Sequence, residues 1–175
     1  MARTKKKELY VASYLGFSEA GRHFMYDKLI PAIQEEGFGV IDPWKLTNQD
    51  YVNFVLSIPD TFPGKRDALR EMDDNIGRNN EKAIDRAHGI VAVLDGAEID
   101  SGVVSEVMYG GSKGKRTLGY RSDFRLASEN LGVPINLQFH YFLKKYKGMI
   151  VPSLEELRRN LRPMFGNPIK SRSNQ

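Results

Sequence analysis

Short apolar runs alternate along this chain with longer amphipathic stretches. Residues 9–15 are apolar and closed by Gly16, which predicts a buried strand. Residues 19–36 carry Tyr26, Leu29, Ile30 and Ile33 at helical spacing, and Gly37 supplies a stop. Residues 38–41 predict a second strand, ended by Pro43. Residues 89–94 (GIVAVL) form a near-continuous apolar run, as a central parallel strand covered on both faces requires. A short helix over 102–111, a strand over 116–120, a helix over 136–146 and a strand over 149–151 follow. Ser153 and Glu156 form a capping box that opens a last helix, reaching to about Met164.

Two stretches are less regular. Residues 44–64 show no clean period and predict a long irregular loop, a feature that is often functional in a compact domain. Residues 66–86 are charged and helical in composition, with a break expected near Gly77. The alternation of strands and helices predicts an α/β fold. We expect a flavodoxin-like, doubly wound sheet of about five parallel strands with helices on both faces. Ligands in such sheets bind beyond the carboxyl ends of the strands. Neither a repeat nor a linker divides the chain, so residues 1–175 read as one domain, with 1–8 and 166–175 as flexible tails.

Composition narrows the chemistry. The chain has no Cys, which excludes disulfides, thiolate metal sites and a cysteine nucleophile. No apolar run approaches the roughly 20 residues that span a bilayer, and the basic start lacks the apolar segment of a secretory signal. The expectation is a cytoplasmic protein with no membrane partner. The net charge is +4 and the sequence pI about 9.2. Much of that charge sits at the ends, on Arg3, Lys5, Lys6, Lys7, Lys170 and Arg172, and reads as solvated tails. No motif interleaves aromatic with basic residues, so no nucleic-acid partner is expected.

The informative segment is residues 94–106, LDGAEIDSGVVSE. It follows the most apolar strand and opens a helix, which brings Asp100 and Glu106 to the rim where a site belongs. A carboxylate in the first turns of a helix is favoured in its ionised form by the helix dipole. A nucleophilic carboxylate needs that form. The segment also has a plainer reading: Asp100 or Ser101 caps the helix, and Gly96 and Gly102 serve the turn.

At this point the sequence resembles the nucleoside 2-deoxyribosyltransferase family. The resembling segments are YVASYLGF, LDGAEIDSGVVSEVMYGGSKGK, GYRSDFR and VPINLQF, in the family's order, over residues 10–139. The resemblance implies an enzyme of nucleotide salvage that moves 2-deoxyribose between purine and pyrimidine bases by double displacement. It implies Glu106 as the nucleophile and Asp100, six residues earlier, as the ligand of the sugar hydroxyls. Tyr10 would orient the nucleophile. Asn136 would reach a neighbouring subunit's site and bind the 5′-hydroxyl, with Gln138 beside it. Gly16, Phe17, Ser101 and Gly102 fall in the same substrate-binding segments. Partners would be deoxyribonucleosides and free nucleobases, in a homo-oligomer (dimer or hexamer) with a shared active site. No cofactor and no metal are implied. On their own, Tyr10 also reads as a core aromatic and Asn136 as a helix cap.

One position departs from the family. Its members often carry an aspartate twenty residues before the sugar-binding one, against the base; here that place holds Asn80. An amide both donates and accepts, whereas a carboxylate only accepts. No general acid stands out either: Asp50, Asp60, Asp95 and Glu98 are candidates by proximity alone. His88 precedes the central strand and reads as structural. Two alternatives share the fold: a nucleoside 5′-monophosphate N-glycosidase, which hydrolyses the same bond, and a non-catalytic nucleotide-binding sensor.

Overall fold

The computed structural model describes residues 6–167. Five strands form one wholly parallel sheet in the order β2-β1-β3-β4-β5. They are β1 (Glu8–Ala12), β2 (Gly39–Ile41), β3 (Gly89–Val93), β4 (Thr117–Tyr120) and β5 (Met149–Val151). The helices are α1 (Glu19–Phe24), α2 (Ile30–Glu35), α3 (Gln49–Ser57), α4 (Lys65–Arg86), α5 (Ser101–Ser112), α6 (Leu137–Lys145) and α7 (Leu154–Phe165). The doubly wound parallel fold expected from the alternation is the one observed.

Successive side chains of a strand point to opposite faces, and this sorts the core into two layers. Leu9, Val11, Val91 and Val93 pack with Met25, Leu29, Ile33, Leu157 and Leu161 on one face. Tyr10, Ala12, Ile90, Ala92 and Leu94 pack with Ile84, Val103, Val107 and Phe139 on the other. The parity of β1 therefore aims Tyr10 at the layer built by α4, α5 and α6. The chain winds outward in both directions from β1 and β3, so the crevice of this fold opens past Ala12 and Val93.

Four expectations are corrected. The first strand ends at Ala12, because the chain turns into a 3-10 helix over Leu15–Phe17. The helix expected over 19–36 is interrupted by a π-turn at Met25–Leu29. Pro31 follows that turn; its ring crowds the carbonyl four residues back, at Asp27, and a wider turn relieves the clash. The segment 44–64 is not a loop throughout. Asn48 caps α3 by accepting from the backbone N–H groups of Asp50 (2.8 Å) and Tyr51 (3.3 Å). Only Val55 of α3 is buried, while Phe54 and Leu56 are exposed, so no apolar period marked the helix. Finally, α4 runs unbroken through Gly77, whose exposed position costs only about 1 kcal/mol of propensity.

Two residues expected in the N-terminal tail belong to the fold. Glu8 belongs to β1, and Lys7 Nζ donates to the carbonyl of Phe165 at 2.8 Å. Arg3, Lys5, Lys170 and Arg172 lie outside the described residues. His88 is structural as expected, its Nδ1 accepting from the N–H of Glu8 at 3.2 Å.

Candidate functional site

The segment after β3 is held by a frame of charge and backbone. Gly96 has φ +121°, in the left-handed region that side chains avoid. Buried Arg121 donates to the carbonyls of Leu94, Gly96 (3.1 Å) and Arg125 (2.7 Å). Asp95 accepts from the N–H of Ser122 (2.6 Å) and of Asp123 (2.8 Å). Arg125 pairs with Asp123 at 2.5 Å, and its hydrogen bonds hold that carboxyl well below the usual range. The GYRSDFR segment thus clamps the loop that leads to Asp100.

Asp100 is the N-cap of α5, accepting from the N–H of Val103 at 2.9 Å. From that start Glu106 falls in the second turn, facing β1 and α4. Tyr10 Oη donates to Glu106 Oε1 at 2.6 Å, and Asn80 Nδ2 donates to the same oxygen at 3.2 Å. Among the described residues nothing hydrogen-bonds to Oε2. Asn80 Oδ1 is buried and has no partner.

Electrostatics at Glu106 run against the sequence expectation. Burial pushes its pKa up to about 7 from 4.5. The hydrogen bond from Tyr10 pulls it back down, the nearby charge of Asp100 raises it, and the hydrogen bond from Asn80 lowers it. Desolvation outweighs the helix terminus. Burial and the adjacent carboxylate also push the Tyr10 phenol far above its ordinary value, so it stays protonated and remains a donor.

Glu106 lines a cavity of about 400 Å³. Phe17 and Trp44, edge to face at 4.6 Å between centroids, form one wall with Pro43; Val52 and Ile76 form another. Gly16 admits the indole: a Cβ there would lie 2.2 Å from Trp44. Trp44 Nε1 is anchored on the carbonyl of Ser13 at 3.1 Å. Asp73, Asn80, Asp100 and Glu106 supply polar groups, as do Thr47 and Gln49. No Lys, Arg or His among the described residues lines it. Nor does any group of three or more His, Asp or Glu among them suit a metal ion.

The fold therefore brings Tyr10, Phe17, Asn80, Asp100, Gly102 and Glu106 together, with Gly16 behind the wall. Ser101 is exposed outside the cavity. Asn136 lies elsewhere. It caps α6, accepting from the N–H groups of Gln138 (3.0 Å) and Phe139 (3.1 Å), and its Nδ2 donates to Glu129 at 2.5 Å. It lines a second cavity of about 640 Å³ with Glu98, Ile99, Leu126 and Phe139; Gln138 is exposed nearby. None of Asp50, Asp60, Asp95 and Glu98 lines the Glu106 cavity. Ser13, Trp44, Thr47, Gln49, Val52, Asp73 and Ile76 were not singled out from sequence. For α4 a signal existed: Asp73, Ile76 and Asn80 are spaced three and four apart, on one helical stripe.

Comparison with known proteins places this geometry. Solved structures share the fold. A conserved protein from Enterococcus faecalis V583 superposes with a TM-score of 0.63 at 19% identity, over 91% of this chain and 99% of that one. A 2-desoxiribosyltransferase from Leishmania mexicana gives 0.59 at 20% identity, over 86% and 93%. A CMP N-glycosidase from Clostridium botulinum gives 0.50 at 14% identity, over 89% and 98%. No curated protein matches the chain. Among the described residues no helix is long and apolar enough to cross a membrane. The sequence profile of the nucleoside 2-deoxyribosyltransferases matches residues 9–138, a span that holds Tyr10, the whole Glu106 cavity and Asn136, and the chain belongs to that family.

Proposed function

We propose that this protein is a nucleoside 2-deoxyribosyltransferase that works through a covalent ester on Glu106. One observation carries the reading. Glu106 borders an apolar-walled cavity with Oε1 fixed by Tyr10 and Asn80, while Oε2 takes no hydrogen bond from any described residue. In the first step an Oε2 lone pair forms a bond to the anomeric carbon. The C–N bond breaks, and its electron pair leaves with the base, which takes up a proton from solvent. In the second step a ring nitrogen of another base attacks that carbon, gives up its proton to solvent and returns Glu106 as a carboxylate. Splitting one displacement into two lowers each barrier, and two successive inversions at the anomeric carbon retain its configuration, as in retaining glycosidases.

Tyr10 positions the nucleophile. Asp100 offers its remaining acceptor capacity to the sugar hydroxyls, and the wall of Phe17 and Trp44 flanks the base. Because Glu106 must be ionised to attack, activity rises as pH increases through about 7. Leu126 of the second cavity is exposed, as are Leu137 and Tyr141 on α6, which supports a homo-oligomer in which Asn136 and Gln138 serve a neighbour's site.

Monophosphate N-glycosidases use the same fold, so substrate charge separates the two readings. A cavity that, among the described residues, is lined by three carboxylates and no cation opposes a phosphate. The test is incubation of a deoxynucleoside with a different free base, followed by chromatography. The new deoxynucleoside should form, and Glu106→Gln should abolish it. Free base without a new nucleoside, or a preference for the monophosphate, would assign hydrolysis instead.

A further inference from the structure

Nucleobases differ most at the edge remote from the sugar. There an amino group offers N–H donors where an oxo group offers lone pairs. The residues that meet that edge can be read from α4. Asn80 touches Glu106 and so stands beside the glycosidic bond. Asp73 lies seven residues earlier, close to two helical turns, on the same face and about 10 Å up the helix. Ile76 sits between them, and all three line the cavity. A base that starts at Glu106 and lies along Ile76 reaches Asp73 with its far edge.

What Asp73 offers there is unambiguous. Among the described residues it makes no ion pair and no hydrogen bond, and no Lys, Arg or His lines the cavity to neutralise it. An ionised carboxylate accepts and cannot donate. At position 6 of a purine or position 4 of a pyrimidine, adenine and cytosine present an amino donor to it. Hypoxanthine, guanine, uracil and thymine present a carbonyl oxygen there, acceptor to acceptor, and only the neighbouring ring N–H recovers part of the contact. The buried, unpartnered Oδ1 of Asn80 is a second acceptor on the same stripe.

We infer that Asp73 is a specificity-determining residue that selects amino-bearing nucleobases over their oxo counterparts. The inference rests on the transferase reading for the orientation of the base and goes beyond it in naming the base class. Since Asp73 is exposed at the cavity mouth, water competes and the discrimination is modest, about tenfold.

Two pairs isolate the group: deoxyadenosine against deoxyinosine, and deoxycytidine against deoxyuridine, each with one fixed acceptor base. Native enzyme should favour the amino member of each pair by about tenfold in kcat/KM, carried mainly by KM. Asp73→Asn, isosteric on an exposed helix position, should bring both ratios close to one, since an amide meets amino and oxo edges alike. Calorimetric binding of free adenine and free hypoxanthine to native protein and to Asp73→Asn reads the same contact without turnover. If no nucleoside is turned over but adenine binds more tightly in an Asp73-dependent way, the transferase reading fails and the base contact stands. Native ratios near one, or ratios that Asp73→Asn leaves unchanged, overturn the inference.

Discussion

Two cavities open at the carboxyl rim of this sheet, and they differ in how much one chain completes. Around Glu106, four elements of a single chain converge: β1 sends Tyr10, α4 sends Asn80, α5 carries the carboxylate, and the segment after β2 brings Trp44. Both hydrogen bonds fix one oxygen, and the walls are apolar. Around Asn136 the side chain is consumed by local structure, capping α6 and binding Glu129. The cavity there is larger, and exposed Leu126 is part of its lining. Glu106 is held by elements distant in sequence, with one oxygen unbonded by the described residues; Asn136 is held by its neighbours in sequence.

The strongest test of this contrast is the nucleophile. Glu106→Gln keeps the shape of the cavity and removes the attacking lone pair, so transfer should fall by about 10³-fold or more while the fold persists. A 2′-fluoro deoxynucleoside, whose fluorine slows ester turnover, should leave one sugar mass on the peptide containing Glu106. Mass on another peptide would move the nucleophile elsewhere.

The same substitution should stabilise the protein. Folding raises the pKa of Glu106 from 4.5 to about 7, so the folded state holds this proton more tightly than the unfolded chain. Its contribution is most favourable below about pH 4.5 and is lost as pH rises towards 7. Above that the ionised group opposes folding by roughly 3 kcal/mol. Glu106→Gln should therefore raise Tm clearly at pH 8 and little at pH 4.5. Equal shifts at both would show that desolvation is not what strains the site.

How much of this was legible beforehand follows from the same physics. The strands were readable because buried parallel strands are written as apolar runs, as in 89–94. Asp100 and Glu106 were readable because one segment holds the strand end, the cap and the helix. The helix α3 was not, since it buries one residue, and with it went Gln49 and Val52 of the cavity wall. Trp44 was passed over for a related reason: its place depends on Gly16 leaving room twenty-eight residues away, a contact without a local signature. The raised pKa of Glu106 was also invisible, because desolvation is a property of the assembled layer of α4, α5 and β1. Asn136 read as a cap and as a contact to a neighbour, and only the first has a partner within this chain.

Tyr10 sharpens the contrast from the other side. Tyr10→Phe removes the 2.6 Å hydrogen bond that lowers the pKa of Glu106 and fixes Oε1. The rate at neutral pH should fall about tenfold, and the rising limb of the pH–rate profile should move upward from about 7. A loss of rate with the limb unmoved would leave Tyr10 as packing alone.

The smallest effect bears on the second cavity. Asn136→Ala costs α6 its cap, about 1 kcal/mol, so lost activity would by itself be ambiguous. Mixing separates the causes. In a twofold assembly with shared sites, each site takes Glu106 from one subunit and Asn136 from the other. Alone, Glu106→Ala protein should be inactive and Asn136→Ala protein strongly weakened. After subunit exchange, half of the pairs are mixed, and each mixed pair holds one site with both native residues. Activity should then return to about a quarter of native. If Asn136 only caps its own helix, the mixed site that carries Glu106 still lies in a chain without its cap, and nothing returns. Exchange confirmed by mass with no recovered activity would assign Asn136 wholly to the local structure that already holds it.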